Sequence, residues 1–231
     1  MTIALSYSRL SDFRQCRLKF KMKYIDKEPN FQMKEEDKSI HLIRGGNVHK
    51  QLEQYVLAKL AGTPMTSYMQ EVKQTAPVID KIMENYGVMP ENQVAVDKDF
   101  NKVSWFSKKA YFRVIFDLIG FGKDLLLVDY KTGKFRDYDP GNATQLGQLH
   151  LSALIGFAVW PEYTDCSTVY LYVDHKKSIP YAHIREESFE KMKAILVAEH
   201  ELVNAETEFA PKQNQFCRWC DATPDQCKYA K

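Results

Sequence analysis

The segment FRVIFDLIGFGKDLLLVDYKTG, residues 112–133, limits what this chain can fold into more than any other. Two β-rich apolar runs are separated only by the short turn FGKD, so strands over 111–119 and 125–131 are expected to form a hairpin. Asp117 lies inside the first run, where an unpaired carboxylate is costly. The pairing brings it towards Asp129 at the end of the second. Two neighbouring carboxylates repel each other, and a hard divalent cation is the usual way to stabilise them. Asp129 and Lys131 are one residue apart and so share a strand face. Lys131 then stands beside the cation without ligating it, where an ammonium can orient water or stabilise charge growing on a phosphate. Tyr130 points the other way, but its backbone carbonyl stays available to the ion. An Asp–Lys pair at a strand end also reads as the ordinary polar exit from a core. The buried Asp117 argues for phosphodiester chemistry instead.

The rest of the chain frames this hairpin. Residues 6–25 place Leu10, Phe13, Phe20, Met22 and Tyr24 at helical spacing behind Ser6 or Ser8 as N-cap, which predicts a helix with a basic outer face. Residues 27–40, around Pro29, read as an exposed loop. A second helix is expected from about Gly46 to Leu60, ending at Ala61-Gly62. A third, from Tyr68 to Tyr86, is interrupted by Pro77. From residue 92 to 131 the pattern becomes a strand meander. Helix over 142–159, strands STVYLYV and IPYAHIR, and a helix from Ser188 to Ala205 complete the order. That order implies an α/β fold with a central mixed sheet flanked by helices, in a single domain over 1–231.

No apolar run reaches the roughly 18 residues a membrane span needs. The N-terminal MTIALSYSRLSDF lacks a charged-then-apolar leader. The expectation is a soluble, intracellular, cytoplasmic protein, in the host cytoplasm if a phage encodes it. A net charge of +2 neither requires nor excludes nucleic acid, because the spatial pattern of charge matters more than its sum.

In sequence order, Asp117 and then VDYKTG with Asp129 and Lys131 resemble the core of the PD-(D/E)XK nucleases, and most closely their RecB-like branch. RGGNVHKQLEQY offers His49 on an earlier helix. The resemblance makes His49 a further metal ligand and implies Mg²⁺ or Mn²⁺ as cofactor, the imidazole favouring Mn²⁺ somewhat. The branch also carries a Gln followed four residues later by a Tyr. In NATQLGQLHLSALIGF, Gln148 aligns with that Gln, Gln145 being the competing choice. Ser152 stands where Tyr is expected, and a serine hydroxyl is too short to make the same reach. Glu53, one turn after His49, reads as solvating a helix face.

Of five cysteines, Cys217, Cys220 and Cys227 fall in CRWCDATPDQC, a C-x2-C-x6-C pattern. Cys16, in FRQCRLKFKMKY, is the candidate fourth ligand. Zinc and an iron–sulfur cluster both suit four thiolates. RecB-like nucleases with an iron–sulfur staple, among them the AddB subunit and CRISPR-adaptation exonucleases, place one Cys before the His motif and three near the C-terminus. The resemblance therefore implies a [4Fe–4S] cluster over Zn²⁺, joining the N-terminal helix to the tail, residues 211–231. Cys166 is left as a buried thiol.

Basic residues interleaved with aromatics, in RQCRLKFKMKY and FSKKAYFR, suit backbone phosphates, and Trp105, Phe106 or Tyr111 suit base stacking. No base-reading module is present. The resemblance implies a metal-dependent DNA nuclease, an exonuclease acting on single strands or ends, with a recombination or CRISPR-adaptation protein as a possible partner. A non-catalytic nuclease-fold module binding DNA or protein is the alternative, resting on Ser152.

Overall fold

The computed structural model describes residues 3–32, 39–63, 65, 67–136, 141–142 and 145–230. Its helices are α1 (Tyr7–Gln15), α2 (Arg17–Phe20), α3 (Ile40–Leu60), α4 (Gln70–Asn85), α5 (Gln148–Val159) and α6 (Arg185–Ala205). Its strands are β1 (Gly87–Val96), β2 (Lys102–Val103), β3 (Phe112–Phe121), β4 (Leu125–Lys131), β5 (Gly141–Asn142), β6 (Gln145–Leu146), β7 (Asp165–Tyr172) and β8 (Lys177–Ile184). The chain divides into two compact units, one of Ser39–Leu196 and one of Met1–Lys38 with Val197–Lys231.

In the larger unit six strands form one mixed sheet in the order β2-β1-β3-β4-β7-β8. The expected hairpin is present, with Phe121 opposite Leu125 and Leu118 opposite Val128. β4 and β7 run parallel, which requires a crossover, and α5 provides it. Gly156 of α5 lies against Leu125 and Leu127; a Cβ there would stand only 2.8 Å from Leu127 Cδ1. Val48, Leu52 and Val56 of α3, and Val72 and Ile79 of α4, bury their side chains with Leu118, Leu126, Val128 and Tyr130.

Several boundaries differ from the sequence expectation. α3 begins at Ile40 rather than Gly46, because Ser39 caps it by accepting from Leu42 N–H, and the helix runs through both glycines. α4 continues through Pro77, held by the burial of Val72, Ala76 and Ile79 on either side. β1 starts five residues before the expected meander and includes Pro90. Pro90 pairs with Leu118 on β3 only, since β2 reaches no further than Ala95 and Val96. At Pro90 the other side of β1 is therefore an edge, where a missing N–H costs nothing. The helix expected over 142–159 starts at Gln148, after an extended Gly147, and β5 and β6 precede it.

In the smaller unit the helix expected over 6–25 is broken. Ser6 caps α1, as read from the sequence, by accepting from Arg9 N–H. Cys16 is extended (φ −161°, ψ 115°) and separates α1 from α2, and Lys21–Ile25 winds as a π-helix. Arg14 binds Glu199 of α6 through two parallel bonds of 2.7 and 2.6 Å, a fork-to-fork geometry. Asp12 accepts from Tyr24 at 2.7 Å and from Lys23 at 3.0 Å. In the segment expected as a loop, Pro29–Phe31 forms a 3₁₀ turn with Phe31 buried, and residues 33–38 lie outside the described residues. Among the described residues no helix is long and apolar enough to cross a membrane.

Candidate active site

The β3–β4 ladder stops at Leu118 and Val128, one residue short of Asp117 and Asp129. Beyond that point a side chain takes over from the backbone: Asp117 Oδ2 accepts the Tyr130 N–H at 2.7 Å. The other oxygen, Oδ1, lies 3.2 Å from His49 Nδ1. His49 is carried by α3, and its ring meets the Tyr130 ring edge-on at 5.7 Å between centroids. The strands thus part where the two carboxylates stand, leaving room that a continued ladder would close.

Asp129, Lys131 and Gln148 form a closed triangle. Lys131 Nζ is 2.7 Å from Asp129 Oδ2 and donates to Gln148 Oε1 at 2.9 Å. Gln148 Nε2 donates to Asp129 Oδ1 at 2.5 Å. Gln148 is the first residue of α5, so the crossover helix delivers its amide to the strand end. The amide that reaches the carboxylate and ammonium is therefore that of Gln148, whereas Gln145 lies in β6.

Burial is the largest influence on Asp129 and pushes its carboxyl up to about 6. Lys131 opposes that shift and the Asp117 carboxylate adds to it. Burial is the largest influence on His49 and works against its charged form, but its hydrogen bond to Asp117 together with the charges of Asp117 and Asp129 raises the imidazole above its ordinary value. Tyr130 is driven well above the phenol range, first by burial and then by Asp117. A carboxylate pair this poorly solvated, with an imidazole alongside, is the donor chemistry of a Mg²⁺ or Mn²⁺ site. Among the described residues no three His, Cys, Asp or Glu side chains form a ready-made metal cage. Mg²⁺ does not need one, since it commonly keeps several waters and takes only one or two carboxylates.

Three neighbours were not legible as site residues. Tyr170 pairs with Asp129 across the parallel β4–β7 ladder. Its ring lies under Lys131 Nζ at 4.6 Å and its hydroxyl donates to Gln148 Oε1 at 3.3 Å. Nothing in STVYLYV distinguishes it from a core tyrosine. Glu91 falls opposite Asp117, in the gap between the pairs Pro90–Leu118 and Asn92–Phe116, with φ at +39°. With Glu53, it lines a cleft of about 670 Å³ that also takes in His49, Asp117, Ile115 and Thr132. Arg44 forms ion pairs with Glu71 and Asp174, and Asp174 accepts the Gly133 N–H at 2.6 Å. That clamp sets the loop after Lys131 against α3, where a Cβ on Gly45 would stand 3.1 Å from Thr132 Oγ1.

In the smaller unit, Cys16, Cys217, Cys220 and Cys227 all line one cavity of about 260 Å³. Backbone N–H groups of Lys212 and Asn214 point at the sulfurs of Cys16 and Cys217, at 3.5 and 3.3 Å. All four thiols are free, and burial raises that of Cys220. Cys166 is buried in β7, where burial raises its thiol further.

The parting of two strands around a carboxylate pair, with a lysine beside it, defines the chain as a member of a nuclease fold class. It belongs to the PD-(D/E)XK nuclease superfamily, whose sequence pattern matches residues 4–227. One solved structure supports the fold. A candidate exonuclease from Eubacterium rectale is 12% identical, with a TM-score of 0.52, covering 94% of this chain and 86% of its own. The protein SSO0001 is 15% identical, with a TM-score of 0.47, covering 94% and 82%. No curated protein matches the chain.

Proposed function

We propose that this protein is a Mg²⁺- or Mn²⁺-dependent deoxyribonuclease, an exonuclease that works on single-stranded DNA or DNA ends. The observation that carries this reading is the triangle of Asp129, Lys131 and Gln148 beside the Asp117–His49 pair. Asp117, Asp129, His49 and the Tyr130 carbonyl would hold the cation. When bound, the cation supplies neutralisation of the carboxylates, polarisation of a phosphoryl oxygen and a more acidic water. Lys131 keeps an ammonium where charge develops on the phosphate. Gln148 fixes both the ammonium and the Asp129 carboxylate, and so limits their motion when substrate arrives. Tyr170 braces the same pair from β7. That bracing weighs against a non-catalytic module.

The four cysteines suit a [4Fe–4S] cluster better than a single Zn²⁺. They line one cavity, and main-chain N–H groups already face two of the sulfurs. Such N–H···S bonds are a means of tuning clusters held by thiolates. The cluster's part is structural: it would staple the segment around Cys16 to the tail. Reduced thiols and DNA as substrate fit a cytoplasmic location, and a recombination or CRISPR-adaptation protein is a fitting partner.

The test is incubation of purified protein with end-labelled single- and double-stranded DNA in Mg²⁺, Mn²⁺ or chelator. Metal-dependent release of short products from single strands or ends is expected. Uncut DNA under every metal condition, with the protein folded, would overturn the reading.

A further inference from the structure

The cleft does not end at the carboxylates. Its lining reaches Ile115, which is 46% exposed, and from Ile115 the same face of the sheet runs on along β1 and β3. There Gln93 pairs with Ile115 and Ala95 with Arg113, so each pair shares a face of the sheet. Gln93 is exposed. The far end of this strip is closed by Arg113, whose guanidinium lies over the Trp105 ring at 5.5 Å. Arg113 Nε is buried and has no hydrogen-bond partner among the described residues. Beside Trp105, Phe106 is 86% exposed, and Lys108 and Lys109 follow it.

Charge along this strip changes sign. Glu91 and Asp117 stand at the catalytic end, Gln93 and Ile115 are neutral, and Arg113 is cationic. That order complements a polyanion whose scissile phosphate meets a cation at the acidic end and whose next phosphates need positive charge from the protein. From Asp117 to Arg113 the strand runs about 13 Å at 3.3 Å per residue. That length takes three or four stacked nucleotides at a rise of about 3.4 Å. The apolar and aromatic groups decide between strand states. In a duplex the base faces are hidden in the stack, whereas an unpaired base can lie on Ile115 or Phe106.

We propose that Gln93, Ile115, Arg113, Trp105 and Phe106 form a track for unpaired nucleotides leading into the cleft, with Arg113 holding a backbone phosphate. The proposal deepens the nuclease reading and rests on it for the direction of the track.

The experiment is fluorescence anisotropy of labelled oligothymidylate and of a duplex of equal length, with wild-type protein in chelator, over a range of salt. Single strands should bind more tightly than duplex. Arg113→Gln should weaken single-strand binding and flatten the slope of log K against log salt by about 0.7, the share of one phosphate contact. Arg113→Lys should restore the slope. Phe106→Ala, at a position too exposed to matter for folding, should weaken single-strand binding about 5- to 100-fold. Duplex preference, or unchanged affinity and slope in Arg113→Gln together with unchanged affinity in Phe106→Ala, would overturn the track. If wild type cleaves but these variants bind normally, the track fails and the nuclease reading stands. If the variants lose binding while wild type cleaves nothing with any metal, the reverse holds.

Discussion

Asp117 Oδ2 accepts the backbone N–H of Tyr130 at 2.7 Å, at the first position beyond the last paired residues of the β3–β4 hairpin. A side chain there replaces a rung of the sheet. The two strands are held together and yet kept open at one point, and there Asp117 stands near enough for its charge to raise Asp129.

Removing either carboxylate should abolish metal-dependent cleavage, whereas removing Lys131 should slow the chemical step. Lys131→Ala should still bind Mn²⁺ and DNA, with kcat lower by about 10²–10³-fold, the scale for losing one preorganised charge-stabilising group. Single-turnover kinetics beside equilibrium binding separates the two. Equal losses of affinity and rate would assign Lys131 to substrate holding instead.

The site around Lys131 predicts a graded response at Tyr170. Tyr170→Phe keeps the ring under the ammonium and loses only a 3.3 Å contact to Gln148, so its rate should fall no more than a few-fold. Tyr170→Leu removes the ring and should cost about 10-fold or more. Gln148→Ala should exceed Gln145→Ala in catalytic loss. A larger effect at Gln145 would contradict the triangle.

Asp129 has a measurable consequence without any substrate. Its folded-state carboxyl is raised from 3.8 to about 6, chiefly by burial. The fold therefore favours the neutral acid: stability from this group is full below about pH 4 and is lost as pH rises through about 6. The upper bound of that loss is on the order of 3 kcal/mol. In chelator at pH 8, Asp129→Asn should melt at a higher temperature than wild type, and the difference should vanish near pH 4. A variant less stable than wild type at pH 8 would show that the Lys131 ion pair outweighs the burial cost.

Much of this was legible in the sequence for a physical reason. The hairpin followed from two apolar runs and a short turn, and the Asp117–Asp129 approach followed from the hairpin. Period-two alternation put Asp129 and Lys131 on one face. What stayed hidden depends on the third dimension. Tyr170 reaches Lys131 only because β7 lies parallel to β4, a pairing that local pattern does not encode. Glu91 sits in a stretch whose Pro90 argues against a strand, and it is allowed only where β2 leaves an edge. The break at Cys16 was invisible because apolar spacing continues across it.

The smaller unit should contain a cluster that serves structure. Protein purified without oxygen should be brown, with about four irons per chain. Cys16→Ser should bleach it and lower its melting temperature, because metal binding energy is folding energy in such a site. Cys166→Ala should leave the colour unchanged. One zinc per colourless chain would replace the cluster with an ion and keep the staple. Bleaching by Cys166→Ala alone would overturn the ligand set.

The most direct test of the central claim is a crystal of the wild-type protein grown with Mn²⁺ and measured at the manganese absorption edge. The account predicts an anomalous peak bounded by Asp117, Asp129 and His49, beside the Tyr130 carbonyl, which disappears in Asp117→Ala crystals grown the same way. A saturating Mn²⁺ concentration that leaves these residues without a peak, or a peak that persists in Asp117→Ala, would contradict it.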